Sequence, residues 1–295
     1  CLSIDERVAM HPVTVYSIGM RTAATYVPKG GGGKTATAAH MAVAASTDHG
    51  LDILLVDLAG QQNDLATQFG VEALDLDDPE ELVETIDAPI SAVFGDDWDF
   101  IRENIPDVVD RMVFETNEGP DLIPADPGLG GADNNLANVA REERFVKLGE
   151  FLAEDVGDRY DLVLMDLPGK EDNIALNGLF AARNVIAPLK PGAFERNQLE
   201  QLEHDLQIIT DEYDVPTELK LVFATMVDHR TTLGEEFVEG LQEEYPDASG
   251  EPIPSTQNIG NEQAAGQTLF ALEKKNLYSS GQCAREVYRQ NTSLL

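Results

Sequence analysis

The sequence predicts an α/β fold in which a mostly parallel sheet is flanked by helices. Three observations carry that expectation. Short continuous apolar runs, such as Ile53-Leu54-Leu55-Val56 and Leu162-Val163-Leu164-Met165, read as strands buried on both faces. Longer stretches with helical spacing of apolar residues alternate with them. A run of glycines, Gly30 to Gly33, stands between a β-prone segment and an alanine-rich one. Strands that alternate with helices build a parallel sheet, and its ligands collect beyond the strand C-termini.

The elements follow in order. Residues 1–20 read as an N-terminal extension or a mis-assigned start: the chain opens at Cys1, and Met10 and Met20 follow. Within it, His11 to Ile18 suits an added edge strand. Residues 21–295 read as a single domain without internal repeats or a low-complexity linker. Thr22 to Val27 is the first strand, Ala36 to Ala45 the first helix, ended by Gly50, and Ile53 to Val56 the second strand. Residues 72–119 are acidic and irregular, with helical pieces expected at Glu80–Ile86 and Phe100–Arg111. Leu122 to Ala125 reads as a strand end, and Glu142 to Glu154 as a helix on the spacing of Phe145, Leu148, Phe151 and Leu152. Strands are then expected at Leu162–Met165, Val185–Pro188 and Leu219–Ala224. Helices are expected at Glu195–Thr210, Leu233–Glu244 and Ala284–Gln290.

The strand–glycine loop–helix order is the layout of a phosphate cradle. Glycines let backbone N–H groups turn around an anion, and a helix N-terminus adds partial positive charge. Lys34 reaches β- and γ-phosphates from such a loop, and the Thr35 hydroxyl ligates Mg²⁺. The general P-loop pattern has a glycine where Pro28 stands, and an extra lysine, Lys29, lies inside the loop. Asp57 and Asp166 each end an apolar strand. In a parallel sheet they gather beside the glycine loop, where they suit Mg²⁺ held directly or through water.

Composition narrows the classes. There are 54 Asp and Glu against 20 Lys and Arg, a net charge of −34 and a pI near 4.2. The acids are spread along the chain, and lysine is scarce. Such a surface resembles that of cytosolic proteins from salt-loving archaea, in which molar salt screens self-repulsion. No apolar run is long enough to span a membrane, and no signal-peptide pattern is present, so a cytoplasmic location is expected. Cys1 and Cys283 form neither a disulfide framework nor a metal signature, and the histidines are scattered. Lys274, Lys275, Arg285 and Arg289, with Lys190 and Arg196, are the cations available to a nucleic-acid surface.

These residues together resemble the ParA/Soj family of DNA-partitioning ATPases, within the deviant Walker A class of P-loop NTPases that includes MinD. The resemblance runs from about Thr22 to Phe270 and rests on four boxes. They are Lys29 to Thr35; Val56-Asp57-Leu58-Ala59-Gly60-Gln61; Tyr160 to Pro168 with Leu176 to Leu179; and Thr225 to Thr231. It implies ATP and Mg²⁺ as cofactors. The nucleotide would contact Lys29, Gly30, Gly31, Gly32, Gly33, Lys34, Thr35 and Ala36, and Met226, Asp228 and Arg230 of the adenine pocket. Thr35, Asp57 and Asp166 would hold the metal, and Lys29, Lys34 and Asp57 would serve catalysis.

It further implies an ATP-dependent homodimer, with Lys29 reaching the partner's ATP. Non-specific DNA binding and a ParB-like centromere-binding protein that stimulates hydrolysis are implied too. The chain departs from the family at Ala59, which replaces the aspartate that places the attacking water. Gly60 replaces the neighbouring proline, and Ala36 a second hydroxyl residue. Slow hydrolysis is therefore expected, or another carboxylate, Asp64 or Asp57, supplies the role. The alternatives are a MinD-like positioning ATPase, disfavoured by a short polar tail, and a non-hydrolysing ATP-binding regulator.

Overall fold

The computed structural model describes residues 20–28, 30–59, 64–71, 88–192 and 195–295. Lys29, the expected edge strand at His11–Ile18, the expected helix at Glu80–Ile86 and the side chain of Arg196 lie outside the described residues.

Seven strands form one sheet in the order β3-β4-β2-β5-β1-β6-β7. They are β1 (Arg21–Thr25), β2 (Ile53–Asp57), β3 (Phe114–Glu115), β4 (Asp121–Ile123), β5 (Leu162–Asp166), β6 (Asn184–Leu189) and β7 (Glu218–Ala224). The short β3 runs antiparallel to β4, and the other pairings are parallel. The helices are α1 (Lys34–His49), α2 (Asp64–Gln68), α3 (Trp98–Asn104), α4 (Val108–Met112), α5 (Leu129–Leu136), α6 (Arg141–Arg144), α7 (Lys147–Phe151), α8 (Asn173–Ala182), α9 (Glu195–Tyr213), α10 (Thr232–Glu244), α11 (Gln257–Ala264) and α12 (Ser279–Thr292). The fold is the expected one.

The continuous apolar runs have a direct physical reading, because both faces of the sheet are covered. Ile53 and Leu55 of β2, and Leu162 and Leu164 of β5, point into one core with α1 and α12. Their alternates Leu54, Val56, Val163 and Met165 point into the opposite core with α8, α9 and α10. Each residue of β2 and β5 is therefore buried, whichever way its side chain projects.

Two expected helices are broken. Phe100–Arg111 divides into α3 and α4 because Pro106 drives the preceding Ile105 into an extended conformation, φ −113° and ψ 94°. Glu142–Glu154 divides into α6, α7 and a π turn over Leu152–Val156. There the Arg144 guanidinium donates to the carbonyls of Ala137 and Val139, which anchors the break.

The register places the site. Across neighbouring strands, Thr25 pairs with Asp166 and Asp166 with Asp57. The C-terminal ends of β1, β5 and β2 thus set a hydroxyl and two carboxylates side by side. β1 sits where the strand order reverses, the position at which parallel sheets open a crevice.

Candidate functional site

The glycine loop leaves β1 and enters α1 with Gly31 at φ 87° and Gly33 at φ 82°. Both lie in the left-handed region that glycine adopts without a Cβ clash. Gly32 is required for a different reason: a Cβ there would lie 2.7 Å from the carbonyl oxygen of Pro188 on β6. From β7's end, the Thr225 hydroxyl donates to the Gly32 carbonyl at 2.9 Å. Two strands therefore brace the loop from below. The N–H of Thr37 closes the first turn of α1 on the Gly33 carbonyl at 2.8 Å.

Behind the loop lie the strand-end groups. Thr35 Oγ1 donates to Asp166 Oδ2 at 2.5 Å, and Thr25 Oγ1 donates to Asp166 Oδ1 at 2.9 Å. Asp57 accepts the N–H of Ala59 on Oδ1 at 2.9 Å and that of Leu65 on Oδ2 at 3.4 Å. Both carboxylates are completely buried and pushed above the ordinary carboxylate range. Desolvation is the chief cause in each case, and the charge of Asp166 adds to it for Asp57. The two threonine hydroxyls and the Lys34 ammonium offset part of it for Asp166. Lys34 is itself lowered by burial and partly restored by Asp166.

In front of these groups opens a cavity of about 860 Å³. One end is walled by Gly30, Gly31, Gly33, Lys34, Thr35 and Ala36, with Ala59 and Asp64 beside them. The segment after β5, Leu167 to Lys170, forms a side wall. Met226, Pro254, Thr256, Ile259 and Tyr288 supply further lining. The lining thus combines the glycine loop and lysines with apolar and hydroxyl residues. That combination suits an anionic tail joined to a flat apolar head.

Most of the sequence-predicted residues converge here. Gly30, Gly31, Gly33, Lys34, Thr35, Ala36 and Met226 line the cavity, with Gly32 behind the loop. Asp57 and Asp166 form the floor beneath Thr35. Asp228 and Arg230 are placed differently: they stand outside the set of lining residues, where the Arg230 guanidinium donates to both Asp228 oxygens at 2.8 Å.

Sequence reasoning missed Lys170, Thr256, Ile259 and Tyr288 as lining residues. They belong to loops and helices more than a hundred positions from the glycine loop, and no local pattern marks them.

The cations considered for a nucleic-acid surface are mostly engaged. Arg285 donates to the carbonyls of Leu269 and Leu272. Arg289 pairs with Asp48 and Glu286 and lies over the Phe270 ring. Lys275 pairs with Glu273. Lys190 is exposed and stands at the cavity wall. Among the described residues no helix is long and apolar enough to cross a membrane.

The family model described as an AAA domain matches residues 20–221. The sporulation initiation inhibitor protein Soj of Bacillus subtilis is 27% identical over 250 residues, covering 84% of this chain and 89% of Soj. The chromosome partitioning protein ParA of Caulobacter vibrioides (strain NA1000 / CB15N) is 27% identical over 272 residues, covering 91% and 94%. A solved structure of cobyrinic acid a,c-diamide synthase from Mycobacterium smegmatis, with bound ATP analogue and magnesium, superposes with a TM-score of 0.69. It is 24% identical, covers 93% of each chain, and shows a shared fold.

Proposed function

Because this chain belongs to the AAA domain family, as a P-loop ATPase of the ParA/Soj type, we propose that it binds ATP with Mg²⁺ in the cavity described above. Bound ATP joins two copies into a dimer, and the dimer is a switch for partitioning DNA. The observation that carries this reading is the alignment of the glycine loop, Lys34 and Thr35 over the paired strand-end carboxylates, at the mouth of one cavity.

The residues fit a magnesium ion. Thr35, Asp166 and Asp57 offer only hard oxygen donors, and burial has raised both carboxylates, so a dication beside them offsets a cost already present. Among the described residues no cluster of three or more His, Cys, Asp or Glu forms a dedicated metal cage. Mg²⁺ does not require one, since it keeps waters and phosphate oxygens as ligands. Bound there, it neutralises charge on the β- and γ-phosphates. The chain's own groups do the rest. The loop amides hold the phosphates, Lys34 lies along them, and the apolar part of the lining takes the base.

Lys29 enters this reading as the cation that reaches the partner's ATP, with Asp228 and Arg230 at the edge of the adenine side. Non-specific DNA and a ParB-like centromere-binding protein are the partners the reading expects, in a cytoplasmic, halophilic setting. A second reading, a regulator that binds ATP without hydrolysing it, is favoured by the Ala59 methyl group at the cavity wall.

The test is light scattering in molar KCl with and without ATP and Mg²⁺, paired with calorimetric titration. The wild type doubles in mass with ATP. Lys34→Ala loses binding and dimerisation together, whereas Lys29→Ala binds ATP and stays a monomer. At ATP concentrations about 100-fold above Kd, binding stabilises the fold by about 2.7 kcal/mol. Absence of any heat or mass change with ATP sinks the proposal.

A further inference from the structure

We propose that Asp64 supplies the carboxylate that orients the water attacking the γ-phosphate, in the role left vacant at Ala59. This rests on the ATP-binding reading and extends it to turnover.

Three aspartates surround the phosphate end. Asp166 is fully buried, with its oxygens bonded to the hydroxyls of Thr25 and Thr35. Asp57 is fully buried too, with its oxygens engaged by the N–H groups of Ala59 and Leu65. Neither is among the residues that line the cavity, and both belong to the floor beneath Thr35, where they suit the metal rather than the attacking water. Asp64 is half-buried and, among the described residues, the one carboxylate that lines the cavity. It shares that wall with Ala59, Thr35 and Lys34.

Its placement is enforced from outside the site. Asp57 holds the N–H groups of Ala59 and Leu65 with its two oxygens, so the residues on either side of positions 60–63 are tied to the end of β2. The Gln68 side chain, fully buried, donates to the Gln267 carbonyl at 2.7 Å and anchors the other end of α2. Asp64 is thus displaced along the chain from position 59 yet faces the same volume. An aspartate lost at one position of the loop is replaced from five residues further on.

The step balances as a hydrolysis. The water oxygen bonds to the γ-phosphorus, and the bond between that phosphorus and the β–γ bridging oxygen breaks. Its electron pair leaves on ADP. Asp64 accepts the hydrogen bond of the attacking water, and the proton released ends on inorganic phosphate or in solvent. Orientation by such a group typically contributes about 10²–10⁴-fold.

The experiment compares wild type, Asp64→Asn, Ala59→Asp and the double variant in molar KCl with Mg²⁺. Titration calorimetry reads ATP affinity, and multiple-turnover phosphate release reads kcat. Asp64→Asn is expected to lower kcat about 100-fold or more with ATP affinity retained. Restoring a carboxylate at position 59 in the double variant is expected to recover most of the loss. A purely structural role for Asp64 predicts no such rescue. Equal rates for wild type and Asp64→Asn, or a loss that Ala59→Asp does not rescue, overturn the proposal and leave ATP binding standing. Binding without phosphate release by the wild type does the same. No ATP binding by the wild type overturns both.

Discussion

The imidazole of His40 is completely buried on α1, and both ring nitrogens are in use. Nδ1–H donates to the Ala36 carbonyl at 2.6 Å, and Nε2 accepts the N–H of Leu269 at 3.2 Å. The ring stacks on Tyr288 with 4.7 Å between centroids. A second proton at Nε2 would displace the Leu269 N–H in a dry environment, and burial lowers the pKa from 6.5 to about 4. The folded state therefore binds fewer protons than the unfolded chain in this window. Stability is fully present above pH 6.5 and is lost as pH falls toward 4. The whole contribution is roughly 3 kcal/mol. Because many carboxylates titrate nearby, the informative measurement is a difference: between pH 6.5 and 4.5 the melting temperature of wild type is expected to fall more steeply than that of His40→Gln.

The sequence shows why this residue escaped notice. Its amide partner lies 229 positions away, so His40 reads there as an isolated histidine. Gly31, Gly33, Lys34 and Thr35 were legible because loop, helix start and hydroxyl are contiguous. Asp64 was legible as a candidate, but only the bonds of Asp57 separate the two.

Among the elements, α2 and α11 pack against each other and also meet through their exits. Gly70 follows α2, Gly266 follows α11, and a Cβ on Gly266 would stand 2.7 Å from the Gly70 Cα. Gly266 also has φ +69°, so a side chain there meets both a clash and backbone strain. Gly266→Ala is expected to cost about 1–3 kcal/mol, read as a lower urea midpoint at constant salt. Gly260→Ala, where a Cβ meets nothing within 4 Å, is the matched control.

Element by element, β2, β5 and β6 were readable because two-sided burial writes an unbroken apolar run. α5 was not readable, since Leu129-Gly130-Gly131-Ala132-Asp133-Asn134-Asn135-Leu136 has poor helix propensity. Its helix is held by burial of Leu129, Ala132 and Leu136, and by Asp133, which accepts the N–H of Asn173 at 2.8 Å. Tertiary contacts of that kind have no local signature.

For the whole molecule, the net charge of −34 is the dominant electrostatic fact. Acids outnumber bases by 54 to 20, so like-charge repulsion outweighs attraction across the chain. At low ionic strength their mutual repulsion acts across about 10 Å, and molar salt shortens that reach to about 3 Å. The folded state concentrates this charge more than the unfolded chain, so screening favours folding. The melting temperature is expected to rise between 0.1 and 2 M KCl; a flat or falling curve contradicts this. Charge was fully legible in the sequence. The pairing of Arg289 with Asp48 and of Arg285 with main-chain carbonyls was not, because it depends on how α12 lies against α1.

The cavity draws its walls from distant stretches of chain, Gly30 to Ala36 at one end and Ile253 to Tyr288 at the other. During synthesis the glycine loop emerges early, yet its vessel has no far wall until the segment carrying Tyr288 has been translated and docked. Nascent chains short of that point hold a phosphate grip without a seat for the rest of a ligand. The lining is complete only once Tyr288 has joined the glycine loop.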